Sequence, residues 1–294
     1  MEKQTIGDRA FGIVNFLLLC LILVIVIYPL IFVLSASISN PELLLKGEIR
    51  LLPKEITFEG YAKVFKNNDV MRGYLNTFVY TGVGTVINLM MTTAGAYALS
   101  RKNLYGRNVI TALLIFTMFF SGGMIPTYLV IKDLHMLNTI WAMVIPGAIS
   151  VYNLIIMRTF FQTSIPNEIE EAAHIDGCSN LQTLFRIVLP LSTPIIAVMV
   201  LFYAVSHWNS FFDGLIYLTD RKKFPLQLIL REILIQEDVA DMDATMAESV
   251  VQQAMSVEGM KYALVVVANI PVLIMYPFVQ KYFVKGVMIG SLKG

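Results

Sequence analysis

Charge is what this sequence has least of. Of its 294 residues only 15% are Asp, Glu, Lys or Arg and 56% are hydrophobic, whereas an average globular chain carries about 25% charged and about 45–50% apolar residues. The deficit argues against a water-soluble protein and points to lipid as the solvent. Basic and acidic residues nearly cancel, 22 against 21, for a net charge of +1, so nothing in the balance points to nucleic acid or another polyanion. The two cysteines, Cys20 and Cys178, are far apart and lack the spacing of a disulfide framework or a metal site. No G-x-x-x-x-G-K-[ST] phosphate loop occurs, so the chain does not hydrolyse ATP by that route.

The missing charges are missing in blocks. Residues 10–41, 73–100, 108–131, 134–157, 187–212 and 262–280 contain no Asp, Glu, Lys or Arg. Each block is long enough to cross about 30 Å of hydrocarbon at about 1.5 Å per residue. A single charge at a helix centre costs about 2.5–3.5 kcal/mol on insertion scales. The pattern predicts an all-α membrane protein with six transmembrane helices near 11–34, 74–99, 109–131, 139–160, 190–212 and 262–282. The first has an apolar core, Ile13 to Leu34, longer than the about 7–15 residues of a signal peptide. It reads as a retained anchor, although Ser35-Ala36-Ser37 weakly resembles a cleavage site. Pro29, Pro126, Pro146, Pro194, Pro271 and Pro277 fall in or beside these segments and predict kinks.

A proton- or sodium-driven carrier usually needs acids, bases or broken helices at the midplane. The charge-free blocks offer no acid, lysine or arginine, and His135 and His207, near helix ends, read as interfacial or packed residues. Nor do the spans hold a Ser/His/Asp, metal or carboxylate constellation, which disfavours a membrane-embedded enzyme. If the chain transports, energy enters from another subunit. Asn15, Asn76, Asn88, Tyr97, Tyr152, Asn153, Tyr203 and Asn209 are polar residues within the spans and are expected to face the bundle interior. They serve either as interhelical hydrogen bonds or as a hydroxyl-binding pathway. Asn88, Tyr97, Tyr152, Asn153 and Asn209 are the candidates for the pathway.

The loop between the fourth and fifth spans reads Ile165-Pro-Asn-Glu-Ile-Glu-Glu-Ala-Ala-His-Ile-Asp-Gly177. Pro166 suits a first helical position. Glu168, Glu170 and Glu171 complement the positive end of a helix dipole. Gly177 is placed for a left-handed cap. The predicted helix has about two and a half turns, too few to persist alone in water. At 100° per residue, Ile169, Ala172, Ala173 and Asp176 share one face, and Glu170, Glu171 and His174 lie on the other. A flat alanine face flanked by acids suits a partner's groove. A second short helix is expected from Leu181 to Leu189, ending at Pro190.

The spacing of Glu171-Ala172-Ala173, three residues, Gly177, nine residues, then Ile187-Val188-Leu189-Pro190 resembles the EAA loop of bacterial ATP-binding-cassette (ABC) importer permeases. The resemblance extends over about residues 70–294. Gly122-Gly123-Met124-Ile125-Pro126-Thr127-Tyr128 is similar to an outer turn of carbohydrate permeases, and Trp208-Asn209-Ser210-Phe211-Phe212 to their Trp-Asn-x-Phe pattern. The tail from Lys285 to Gly294 looks like that of MalG-like subunits, in particular the LplC/YtcP branch, which imports oligosaccharides and complex glycans. Cys178 stands where that family often has alanine.

The resemblance implies a type I ABC importer permease fold, with residues 1–72 as an added first helix and extracellular loop and 73–294 as the permease domain. It implies that Glu168, Glu171, Ala172, Ala173, Asp176 and Gly177 form the coupling helix that docks in a cytoplasmic ATPase. It further implies a heterodimer with a second permease, an ATPase dimer that binds the ATP and magnesium, and an extracellular solute-binding (lipo)protein. The chain itself would carry no cofactor, no metal and no catalytic residue, and would import an oligosaccharide by alternating access in a bacterial cell membrane. Another solute, such as a peptide or phosphonate, is the alternative.

The outer loop from 213 to 261 is expected to meet the binding protein, as it does in maltose-type subunits. Its run Phe224 to Ile235, with Pro225 in the first turn, predicts a short helix on the membrane face. Asp238, Asp241 and Asp243 lack the central glycine of a calcium loop and read as a solvated face.

Orientation follows from the short loops. Arg101, Lys102 and Arg107 crowd residues 100–108, while 132–138 holds Lys132 alone, which places the former, and both termini, inside. A cysteine from Asp243→Cys should therefore react with an impermeant thiol reagent added outside, and one from Asn167→Cys should not; the reverse labelling would overturn the orientation.

Overall fold

The computed structural model describes residues 6–240 and 258–277, with residue 280. The acidic stretch from Asp241 to Glu248 and the tail from Lys285 lie outside the described residues, as does the Asp238 side chain. Among the described residues every regular element is helical. In chain order these are α1 (Ile6–Ser37), α2 (Pro41–Leu45), α3 (Glu59–Lys66), α4 (Asn68–Ser100), α5 (Arg107–Phe119), α6 (Met124–Asp133), α7 (Ile140–Val144), α8 (Val151–Ser164) and α9 (Asn167–Ile175). Then come α10 (Asn180–Thr183), a π-helical turn Leu184–Val188, α11 (Leu189–Leu191), α12 (Thr193–Trp208), α13 (Phe212–Tyr217), α14 (Leu226–Ala240) and α15 (Glu258–Pro277).

By length and composition, Gly7–Ser37, Asn68–Ser100 and Glu258–Pro277 are each able to cross a membrane, and two bent pairs bring the number to as many as five. The third expected span is one of these pairs: α5 and α6 meet at 112°. Gly123, at φ +88°, makes the turn, and Pro126 falls in the first turn of α6, where its missing N–H is not needed. The second pair bends by 85° between Leu191 and Thr193, with Pro194 again in a first turn.

The fourth expected span, 139–160, is not one helix. It is divided into α7 and the 14-residue α8 by the break 145–150, which holds Pro146 and Gly147. Proline removes a helical donor and obstructs the preceding carbonyl, and open backbone inside an apolar segment survives only where other groups satisfy it. Side chains do so here. Asn88 Nδ2 donates to the Gly147 carbonyl at 2.6 Å, and the Ser150 N–H donates to the Tyr203 hydroxyl at 3.4 Å. Pro29 and Pro271, by contrast, lie inside α1 and α15 without ending them.

The chain divides into two compact units, residues 1–71 with 230–269 and residues 72–229 with 270–294. In the first, the most apolar stretch of α1 is wholly unburied. Its polar end is fastened: Ser35 Oγ donates to Leu51 O at 2.6 Å, and Ser37 Oγ and the Tyr61 hydroxyl share a bond of 2.9 Å. Gly60 of α3 lies so close to Gly259 that a Cβ would meet its carbonyl oxygen at 2.3 Å, so only glycine permits this approach.

The core of the second unit joins α4, α8 and α12 through Ala96, Tyr97, Leu154, Met157, Phe161, Met199 and Tyr203. Polar fasteners cross it. Thr92 and Tyr203 share a bond of 2.6 Å, and Asn88 Oδ1 lies 2.6 Å from His207 Nε2. His207 is thus a packed residue, seated where Gly84 leaves room. At the other end of this unit the segment 217–226 is tied down by α4. Asn76 Nδ2 donates to the carbonyls of Lys222 and Phe224, the Tyr80 hydroxyl to Lys223 O, and the Leu226 N–H to Thr77 Oγ1. Asn138, at φ +58°, ties the same segment by accepting from the Thr219 and Asp220 amides. The helix that follows, α14, runs longer than the expected 224–235 and buries Leu226, Leu228 and Ile229.

Asn88→Ala orphans both the Gly147 carbonyl and His207 and is expected to destabilise by about 1–2 kcal/mol. Asn209→Ala removes a bond to Val205 O in its own helix and should stay within about 0.5 kcal/mol of the parent. Thermal unfolding of the detergent-solubilised protein checks the pair, and equal midpoints for Asn88→Ala and the parent would contradict the fastening role.

Candidate functional site

The turn between α8 and α12 is built around α9, nine residues long. Its N-cap is Pro166 and helical residues start at Asn167, one position later than expected. The end is as the glycine implied. Gly177 has φ +78°. The Cys178 N–H donates to Ala173 O at 2.9 Å and the Gly177 N–H to His174 O at 3.0 Å, the paired bonds of a Schellman cap. No atom within 4 Å would meet a Cβ at Gly177, so backbone conformation alone demands glycine.

After the cap, Ser179 and Gln182 form a reciprocal capping box that starts α10. The segment continues through the π turn and Pro190 to Leu191, slightly past the expected end. Within the π turn the Leu189 N–H bonds Leu184 O, five residues back. That offset ladder precedes a proline that has no N–H to give.

The faces of α9 differ from those expected. Ala173 is buried at 4% exposure, Ile169 and Glu170 are half-buried, and Glu168, Glu171, Ala172 and Asp176 are exposed. The two alanines therefore point different ways. The inner face is Ile169, Glu170 and Ala173; the outer face is Glu168, Glu171, Ala172 and Ile175, at i, i+3, i+4 and i+7. Ile175 was not singled out by the sequence reading, yet its side chain stands 86% exposed. Leu181 at 67% and Phe185 at 64% add exposed apolar surface on the following segment. The signal was available in the spacing, since Ile175 lies four residues from Glu171 and three from Ala172.

Glu170 was likewise not a candidate. Its carboxylate pairs with the Arg101 guanidinium, both side chains being mostly shielded from water. Arg101 follows the last residue of α4 and is held from several sides. Its Nε donates to Ser100 Oγ at 3.0 Å, its guanidinium lies 4.4 Å from the centre of the Tyr97 ring, and its carbonyl accepts from Arg107 Nη1 at 3.4 Å. Burial pulls the Arg101 pKa below its ordinary value, though a guanidinium stays charged at neutral pH. A cavity of about 300 Å3 adjoins the pair, lined by Lys102, Arg107, Phe161, Gln162 and Ile165 among others.

The five candidates for a solute pathway have different surroundings. The Asn88 side chain is fully buried, its amide engaged at both ends. Tyr97 lies under Arg101 and Asn153 is buried. Tyr152 is 60% exposed, and Asn209 is exposed with its amide on Val205 O. Among the described residues no group of three or more His, Cys, Asp or Glu is placed to hold a metal ion.

Comparison with known proteins agrees with this architecture. Residues 74–289 match the family model described as "binding-protein-dependent transport system inner membrane component". The chain is 42% identical to protein LplC of Bacillus subtilis over 291 residues, covering 99% of this chain and 97% of the relative. It is 40% identical over 287 residues to the polygalacturonan/rhamnogalacturonan transport system permease protein YtcP of the same organism, covering 98% and 99%. A solved chain from a bacterial ABC transporter involved in the import of the acidic polysaccharide alginate superposes with a TM-score of 0.86 at 36% identity, covering 96% of this chain and all of the other. An all-helical bundle, a capped short helix between α8 and α12 and a family match over most of the length lead to one assignment: the chain belongs to the binding-protein-dependent transport system inner-membrane components, the permease subunits of ABC importers.

Proposed function

We propose that α9 is the coupling helix, that its outer face docks in a cleft of a cytoplasmic ATPase, and that the chain imports an oligosaccharide by alternating access. The observation that carries this reading is the outer face itself. A nine-residue helix, fixed at its inner side and capped at its end, holds Glu168, Glu171, Ala172 and the 86% exposed Ile175 clear of the other described residues. Ile175, with Leu181 and Phe185 exposed on the following segment, gives apolar surface beside small and acidic residues, which suits a partner's groove.

In this reading both termini face the cytoplasm. A second, related permease completes the pathway, two ATPase subunits bind and hydrolyse ATP with magnesium, and an extracellular solute-binding protein delivers the sugar. Closure of the ATPases on ATP displaces α9 as a lever and turns the spans outward. The segment 217–226, tied down by α4 and Asn138, gives the outer loop a fixed base from which to meet the binding protein. Acidic, uronate-rich chains are the first substrate class to examine, since a polygalacturonan/rhamnogalacturonan permease and an alginate transporter are among the relatives.

Ala172→Glu places charge on the docking face. Gly177→Pro forces φ from +78° to about −65° and removes the bond to His174 O. Each should reduce co-purification of the ATPase by about tenfold or more, the equivalent of about 1.4 kcal/mol, while membrane insertion persists. Unchanged co-purification and uptake in both would refute the docking role. Proteoliposomes carrying the whole transporter and its binding protein should accumulate labelled oligogalacturonides in an ATP-dependent way, and faster than malto-oligosaccharides. The opposite preference would refute the acidic substrate class.

A further inference from the structure

The inner face of α9 holds a charge that docking does not use. Glu170 is turned away from the exposed outer face and pairs with Arg101, with side chains 17% and 16% exposed. Arg101 directly follows α4 and is locked to that helix's last turn by Ser100 Oγ, by the Tyr97 carbonyl at 3.4 Å and by the Tyr97 ring. The guanidinium is thus effectively part of α4, and the carboxylate part of α9. The other end of α4 grips the 222–226 segment through Asn76, Thr77 and Tyr80. Thr77 and Arg101 are separated by about 36 Å along the helix at about 1.5 Å per residue.

We infer that the Arg101–Glu170 ion pair is the positioning link through which displacement of α9 is delivered to α4, and along α4 to the outer 217–226 segment. This rests on the reading of α9 as the coupling helix and goes beyond it by naming the contact that carries the motion. The chemistry suits the task. Coulomb attraction falls as 1/r and persists through a shift of an ångström or two, whereas a neutral hydrogen bond is lost beyond about 3.5 Å. Shielding from water keeps the attraction from being screened. The adjoining cavity of about 300 Å3 gives the side chains room to move without breaking packed contacts. Lys102 and Arg107 also line it, so the field around Glu170 stays positive as the helix moves. Gln162 adds only a long bond, 3.4 Å, from α8 to Ser100 O.

The test uses the complete transporter in proteoliposomes, with its second permease, ATPase and binding protein, and labelled oligogalacturonide as the probe. Glu170→Gln and Arg101→Gln should each retain co-purifying ATPase and basal ATP hydrolysis, yet lower the solute imported per ATP by about fivefold or more. The double variant should be no worse than either single one, because both remove the same link. Glu170→Asp and Arg101→Lys, which keep the charges, should preserve most of the coupling; this separates a link from a site where any substitution is damaging. Parental solute per ATP in both neutral variants would overturn the link. So would loss of the ATPase in Glu170→Gln alone, which would place Glu170 on the docking surface. The docking reading fails separately, by unchanged co-purification of the ATPase and uptake in both Ala172→Glu and Gly177→Pro, so the two failures are distinguishable.

Discussion

A helix of nine residues makes too few internal hydrogen bonds to persist alone in water, and α9 must therefore be held by its surroundings if it is to transmit anything. Three devices hold it. Pro166 sets the entry with its restricted φ, Gly177 closes the exit in a left-handed turn that a Cβ would strain, and Glu170 anchors the inner face to Arg101. A side-chain cap at the start would stabilise the helix without giving it a fixed direction. The buried Ala173 and the glycine cap define a direction, and with it a face exposed among the described residues, while the ion pair ties the inner side to α4.

The same constraint acts in the spans in another form. With few charges to place, the core between α4, α8 and α12 uses amides and hydroxyls at the points where helices break. Asn88 illustrates this: one side chain satisfies a carbonyl exposed by the Pro146–Gly147 break and holds His207 on α12. Tyr203 likewise meets Thr92 and the Ser150 amide. A break in a helix is thereby made part of the packing between α4, α8 and α12, and it lies in the unit that carries α9.

What the sequence discloses, and what it withholds, follows from this physics. Charge-free windows marked the apolar segments because a buried charge is so unfavourable, and the Gly177 cap was legible because few residues other than glycine accept its backbone angles. The 112° turn at Gly123 and the division of the fourth span were not resolved, because Gly-Gly and Pro-Gly pairs inside an apolar run fit either a kinked helix or a true break. The choice depends on whether a distant side chain such as Asn88 is there to satisfy the opened backbone. The inner face of α9 was misassigned for a related reason. A helical wheel groups Ala172 with Ala173, but the packing face was decided by Arg101, about seventy residues earlier in the chain, and no local pattern announces that pairing. Ile175, an apolar residue on the outer face, then becomes intelligible only once the inner face is known.

The most direct test of the account asks what lies against Ile175 in the assembled transporter. With Cys20 and Cys178 replaced by serine, Ile175→Cys treated with a short bifunctional maleimide should yield a covalent product of this chain and an ATPase subunit that carries an engineered cysteine in its facing cleft. Ala173→Cys, on the inner face at 4% exposure, should yield none. A transporter that still hydrolyses ATP and imports solute, yet gives no cross-link from Ile175→Cys at any cleft position, would contradict the claim that the outer face of α9 is where the energy enters.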